Sequence, residues 1–137
     1  MVADAGARCA TCGNAPAAGV GSARARLAVV AAPMAGDAAE MFDRMLVKVL
    51  MLERGDIFTL QATDCIDCRR LVARQIERVG PRAVLAMGAS AHATVGVDGI
   101  GTWKGAVMPT FHPDELALRP QDKRAAMDHL NLVRARL

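Results

Sequence analysis

The sequence predicts an α/β domain of three layers, α/β/α, with helices on both faces of a short, mainly four-stranded parallel sheet. Short apolar runs alternate along the chain with longer segments in which apolar residues recur every three or four positions. The first and third runs are apolar throughout, as expected of strands that are covered on both faces. The strands are predicted at residues 27–32, 56–60, 83–87 and 106–110.

The segments that separate these runs have the spacing of helices. Met41, Met45 and Val49 fall on one face of the first segment, and Asp37 is expected to cap its N-terminus. Gly80 and the proline after it end the second segment. Helices are predicted at residues 38–52, 67–79, directly after Ser90, 113–118 and 120–137.

The chain length and composition favour one domain with an aliphatic core. We divide the 137 residues into an irregular N-terminal arm, 1–26, and an α/β domain, 27–137. Aromatic residues make up only 3%, which disfavours a nucleic-acid reader that stacks several bases. No apolar run approaches the roughly 18 residues of a membrane span, and the first residues do not resemble a signal peptide. We therefore expect a cytoplasmic protein, in which structural disulfides are uncommon.

The net charge of +3 is unevenly distributed along the chain. Residues 1–68 contain six Lys and Arg against eight Asp and Glu, whereas residues 69–137 contain eleven against six. A basic second half suits contacts with DNA phosphates, and equally suits a solvated helix face.

Two Cys-x-x-Cys pairs, Cys9 with Cys12 and Cys65 with Cys68, use all four cysteines of the chain. Each pair can hold a metal through two thiolates, and two pairs together form a four-sulfur site for zinc or for an iron–sulfur cluster. We predict that the four share one metal site, whose first effect is to attach the arm to the domain. Free or redox-active thiols are the alternative, as are small core side chains at Cys65 and Cys68.

Ligands of parallel sheets bind outside the carboxyl ends of the strands. This rule places loops 33–36, 61–65, 88–90 and 111–113 along one edge of the sheet, where a site is expected.

Three segments resemble the iron–sulfur (family 4) type of uracil-DNA glycosylase. Residues 81–91, Pro-Arg-Ala-Val-Leu-Ala-Met-Gly-Ala-Ser-Ala, are similar to a strand and turn of that family. Residues 109–123 begin with Pro-Thr-Phe-His-Pro and resemble its histidine–proline motif and closing helix. Residues 41–46 resemble its Leu-Leu-Asp-Arg-Met-Leu helix.

The resemblance implies hydrolysis of the bond between uracil and deoxyribose in a flipped-out nucleotide. It implies that His112 stabilises the departing uracil anion. The other implied site residues are Pro33, Gln61, Gly88 and Ser90 in the base pocket, Arg119, Lys123 and Arg124 on DNA, and Cys9, Cys12, Cys65 and Cys68 on a 4Fe–4S cluster, with zinc as the alternative.

The chain departs from the family at several of these positions. The position of the catalytic carboxylate matches Ala32, which cannot polarise water, and a glycine of the same motif matches Met34. The amide that reads uracil matches Gln61, which is one methylene longer than the family's Asn, and catalysis is sensitive to such displacements. These departures indicate a catalytically degenerate member, in which His112 either keeps a function or only caps a turn.

Three functions remain open at this point. The first is a binding module of DNA replication or repair, similar to the psi subunit of bacterial DNA polymerase III, with DNA or replisome proteins such as the clamp loader and the chi subunit as partners. The missing carboxylate favours it. The second is an active, diverged uracil-DNA glycosylase, which the four cysteines favour. The third is a zinc-stapled interaction domain.

Overall fold

A sheet with the strand order β1-β3-β2-β4-β5 lies at the centre of the protein. The computed structural model describes residues 20–21, 24–62, 65–95 and 106–137. Strands β2 to β5 run parallel, whereas β1 pairs antiparallel with β3. The strands are β1 Val20–Gly21, β2 Leu27–Ala31, β3 Ile57–Gln61, β4 Ala83–Met87 and β5 Ala106–Thr110. The four predicted parallel strands and the three-layer fold class are thereby confirmed.

In the described ranges, five α-helices connect or flank the strands. They are α1 Asp37–Met45, α2 Ile66–Val79, α3 Ala89–Val95, α4 Pro113–Leu118 and α5 Lys123–Arg134. Short 3-10 turns at Arg54–Asp56 and Pro120–Asp122 precede β3 and α5. Every helix of the described ranges falls short of the length and apolarity that crossing a bilayer requires.

The two faces of the sheet are covered by different helices. Leu27 and Val29 of β2 pack into one apolar cluster with α1, α4 and α5. Ala28 and Val30, which point the other way, pack into a second cluster with α2 and α3. All five residues of β2 and all five of β4 are buried, because helices cover both sides of these strands.

The first helix differs from the prediction of a single element over residues 38–52. α1 passes at Leu46 into a π-helical turn, Leu46–Leu50, which ends at Met51 in the left-handed conformation with φ 56°. The wider turn buries Leu46, Val49 and Leu50 together against the core. The predicted cap at Asp37 was wrong, because Gly36 is the N-cap residue and Asp37 is the first residue of the helix. At this position the Asp37 carboxylate interacts favourably with the helix dipole.

The structure adds strand β1 within the predicted arm. Val20 pairs with Thr59 and Gly21 with Phe58, so the end of the arm forms an edge of the sheet. Gly21 has φ 127°, and a Cβ there would lie 1.9 Å from the Ile57 carbonyl oxygen, so only glycine fits. A two-residue strand has no periodicity to read, which is why the sequence did not indicate it. Residues 1–19 of the arm and residues 96–105, which precede β5, lie outside the described residues.

Gln75 of α2 is completely buried, on the face of the sheet that carries the second cluster. Neither of its amide atoms has a hydrogen-bond partner among the described residues. An amide that is removed from water without a partner costs about 1–3 kcal/mol.

We expect Gln75→Leu to raise the free energy of unfolding by about 1–2 kcal/mol, because the substitution removes an uncompensated polar group from an apolar site. Urea unfolding followed by circular dichroism measures the change. Gln61→Leu, at an exposed strand end, serves as the control and should change the free energy by less than about 0.5 kcal/mol. A loss of stability in Gln75→Leu would show that the amide has a favourable partner.

Candidate functional site

The sheet reverses its direction of growth between β2 and β4, and this creates a crevice at their carboxyl ends. The chain moves from β2 outward to β3, and then crosses back through α2 to β4 on the other side of β2. Parallel sheets bind ligands at such a switch point. The residues at the crevice are those that follow β2, β4 and β5, namely Ala32, Gly88 and His112.

His112 connects two of these loops. Its ring nitrogen Nε2 lies 3.1 Å from the carbonyl oxygen of Ala32, and its Nδ1 accepts a hydrogen bond of 3.0 Å from the backbone N–H of Asp114. Since Nδ1 accepts, the proton resides on Nε2, which donates to the Ala32 carbonyl. The side chain is only 6% exposed. Both ring nitrogens are therefore engaged within the protein.

His112 is also the N-cap residue of α4. Its side chain accepts a hydrogen bond from a backbone N–H of the first helical turn that has no partner within the helix. The Glu115 carboxylate completes a capping box, because it accepts a hydrogen bond of 3.2 Å from the His112 backbone N–H. Caps of this kind stabilise a helix by about 0.5–2 kcal/mol. His112 thus starts α4 and holds it against the loop that follows β2.

Glu115 is a carboxylate at the crevice that the sequence analysis did not select. A Cβ placed on Gly88 would lie 3.0 Å from Glu115 Oε1 and 3.1 Å from His112 Cβ, so these three residues are in close contact. The spacing of residues 112 and 115 is that of a capping box, and this was the available signal. It was missed because the box normally begins with Ser or Thr, and here it begins with His.

The other two histidines of the chain support the same segment. His92 of α3 directs Nε2 at the carbonyl oxygens of Thr110 and Ala86, at 2.9 and 3.1 Å. His129 of α5 forms a 2.9 Å hydrogen bond with the Thr110 hydroxyl, and its ring stacks on Phe111 with centroids 6.0 Å apart. The carboxyl end of β5 is therefore held from both layers of helices.

The predicted base-pocket residues are distributed along the carboxyl edge. Pro33 is exposed in the loop after β2, and Gln61 is exposed at the end of β3, where it pairs with Ala31. Gly88 is buried directly after β4, and Ser90 lies in the first turn of α3. Since β2 separates β3 from β4, Gln61 is about 10 Å from the end of β4. The structure brings together Gly88 and His112, while Gln61 remains on the far side of β2.

Two of the four predicted metal ligands lie within the described residues. Cys65 is the half-buried N-cap residue of α2, and Cys68, three positions later, is fully buried in the first turn. The donor chemistry and the spacing of this pair fit a metal or cluster. Cys9 and Cys12 lie outside the described residues, and within the described ranges no three potential ligands are grouped.

The predicted DNA-binding cations lie where α4 meets α5. Arg119 follows α4 and its Nε lies 3.5 Å from the carboxylate of Asp122. Lys123 and Arg124 are exposed in the first turn of α5. Lys123 lines a groove between α1 and α5, on one side of the sheet rather than at the crevice.

The strand order defines a doubly wound α/β domain with a crevice at its switch point. Comparison with known protein families narrows this class. The sequence profile of the uracil DNA glycosylase superfamily matches residues 2–131. The chain therefore belongs to the uracil DNA glycosylase superfamily. No curated protein matches the chain.

We expect Gly88→Ala to destabilise the protein by about 2–4 kcal/mol, since it combines an unfavourable φ with crowding against His112 and Glu115. Gly88 has φ 94°. The control is Gly36→Ala, at φ 57° with open space around the added Cβ, where only the left-handed backbone costs about 1 kcal/mol. Thermal unfolding of both variants measures the difference, and equal losses would contradict the close packing at the crevice.

Proposed function

We propose that this chain is a non-catalytic member of the uracil DNA glycosylase superfamily that acts as a binding module in DNA replication or repair, in a role similar to that of the psi subunit of DNA polymerase III. One observation carries this proposal. The histidine that the resemblance assigns to catalysis uses both ring nitrogens to cap α4 and to bind the Ala32 carbonyl.

The chemistry of uracil release requires groups that the described residues of this crevice do not offer. A leaving uracil anion needs a preorganised donor, and the Nε2–H of His112 is directed at the Ala32 carbonyl. The residue at the position of the family's carboxylate is Ala32, whose methyl group can neither orient water nor offset a positive sugar. Glu115 does not replace it, because its carboxylate accepts the His112 amide.

An active, diverged glycosylase is the second candidate. The quartet of cysteines favours it, since the resemblance assigns such a quartet to an iron–sulfur cluster. The retained Gly88 and His112 at the switch point are compatible with it. Apo crevices can also tighten or rearrange when a substrate binds, so a hydrogen bond to a carbonyl could exchange for one to uracil.

We propose further that Cys9, Cys12, Cys65 and Cys68 hold a 4Fe–4S cluster, or alternatively zinc. The thiols of Cys65 and Cys68 at the start of α2 support this, since two more thiolates from the arm complete the set. The group would attach residues 1–19 to the domain.

The partners of the proposed module are DNA, through Arg119, Lys123 and Arg124, or replisome proteins such as the clamp loader and the chi subunit. The exposed cations at the start of α5 support either class. A zinc-stapled interaction domain with another partner is the remaining alternative. Each of these roles is cytoplasmic.

A uracil-release assay tests the proposed function. We expect the purified chain to release no uracil from a single-stranded or double-stranded uracil-containing oligonucleotide above the uncatalysed background. His112→Ala should leave this background unchanged while it lowers the free energy of unfolding by about 1–3 kcal/mol, because the cap and the bond to Ala32 are lost. His112→Asn, which retains a capping side chain, should recover part of that stability. Uracil release that disappears in His112→Ala would overturn the proposal in favour of the active enzyme.

Metal analysis of protein purified without oxygen tests the cysteine proposal. We expect one bound group for about four sulfur ligands. A 4Fe–4S cluster would give broad visible absorbance together with iron and sulfide, whereas zinc would give a colourless protein that contains one zinc ion per chain. Cys9→Ser and Cys65→Ser should each abolish binding, since either change removes one member of a shared set. Metal retained by Cys9→Ser at full occupancy would contradict a site that joins the arm to α2.

A further inference from the structure

A groove between α1 and α5 combines an apolar floor with a positively charged rim. Its volume is about 380 Å³, and its walls come from α1, the π turn, α4 and α5. It shares no residue with the crevice at Gly88 and His112. The lining residues are Met41, Met45, Val49, Leu116, Ala126 and Met127, with Arg44, Lys48 and Lys123 at the rim.

The floor leaves apolar surface in contact with water. Met127 is 42% exposed and Met41 is half-buried, whereas Met45 and Leu116 are buried beneath them. Methionine side chains are flexible and polarisable, and they adapt to different apolar partners at binding surfaces. The floor is therefore suited to receive the aliphatic or aromatic side chains of another molecule.

The rim of the groove is positively charged. Arg44, Lys48 and Lys123 are exposed, and the described residues that line the groove include no Asp or Glu. In the described part of the chain these three cations form no ion pair. Their charges thus remain available for a ligand that brings carboxylates or phosphates to the edge of the groove.

The same combination continues toward the end of α5. The guanidinium of Arg134 lies 3.5 Å from the sulfur of Met51, which is 69% exposed at the end of the π turn. Because α5 packs along the π turn, Arg134 and Met51 form a second contact between a cation and a methionine, nearer the C-terminal ends of α5 and of the π turn. This continuity favours an elongated ligand over a small molecule.

We infer that the groove binds an acidic amphipathic helix of a partner protein. The apolar side chains of that helix enter between Met41 and Met127, and its carboxylates pair with Arg44, Lys48 and Lys123. This mode of recognition places side chains of successive helical turns in one groove. The inference rests on the proposed function, since it gives the binding module the chemistry of its ligand.

Other occupants fit the groove less well. A second copy of the chain would bring the same cationic rim against itself in a symmetric contact. The chain's own residues 1–19 contain one acid and one base and so carry no excess of carboxylates. A nucleic acid would neutralise the rim, but it would leave the methionine floor without the aromatic rings on which bases stack.

Fluorescence anisotropy with a designed peptide tests the inference. The probe is a labelled peptide of about 16 residues, between four and five helical turns, with leucines on one face and glutamates on the others. A scrambled peptide of the same composition and a peptide with lysine in place of glutamate are the controls. We expect the acidic amphipathic peptide to bind at least about tenfold more tightly than either control, since only it combines both kinds of contact.

Substitutions of groove residues test whether the peptide binds in the groove. Arg44→Glu combined with Lys48→Glu should weaken binding by about tenfold or more, and Met127→Gln by about three- to tenfold. Arg70→Glu, on α2 at the opposite face of the sheet, is the matched charge control and should have no effect. All these positions are exposed, so the melting temperature should remain within about 3 °C of the parent.

The inference would be overturned by equal binding of the scrambled peptide or by groove variants that have no effect. It would also be overturned by a labelled oligonucleotide that displaces the peptide and binds more tightly through the same residues. Self-association that the groove variants abolish, measured by sedimentation, would overturn it in favour of a second copy. The uracil-release assay is independent of these results. Released uracil contradicts the proposed function, whereas absent peptide binding without uracil release contradicts only the groove.

Discussion

Strands β2 and β4 are covered by helices on both faces, and the positions of the other elements follow from this constraint. Alternate residues such as Leu27 and Ala28 enter different apolar clusters, so α1 and α2 must cross opposite sides of the sheet. The crossing from β3 to β4 then opens a crevice at the carboxyl ends of β2 and β4. The loops of the site meet there because the carboxyl ends of parallel strands lie at the same edge of the sheet.

At this crevice the polar groups form hydrogen bonds with one another. His112 donates to Ala32 and accepts from Asp114, and Glu115 accepts the His112 amide. Gly88 is left no room for a side chain beside them. The same contacts that would reduce catalysis stabilise the start of α4, which forms part of the layer with α1 and α5. The proposed loss of catalysis and the capping of α4 would therefore have a common physical origin in the contacts of His112.

The groove between α1 and α5 shows why charge counted along the chain is a weak guide to surfaces. The first 68 residues have a net excess of acids, yet Arg44 and Lys48 come from that half and meet Lys123 of the basic half. The inward face of α1 was predicted from Met41 and Met45, but the groove exists only because the π turn and α5 are spaced as they are. The interaction surface is thus a product of helix packing.

By itself the sequence determined the fold class, the four parallel strands and the family, because these depend on periodicity and on local segments such as residues 81–91 and 109–113. It also indicated that residues after β2, β4 and β5 share one edge. Only the tertiary structure decided that Glu115 joins His112 at Gly88, that β1 extends the sheet, and that the buried amide of Gln75 has no hydrogen-bond partner among the described residues. Hydrogen bonds and contacts between distant segments depend on side-chain direction and on the packing of whole layers, and no local pattern of residues encodes them.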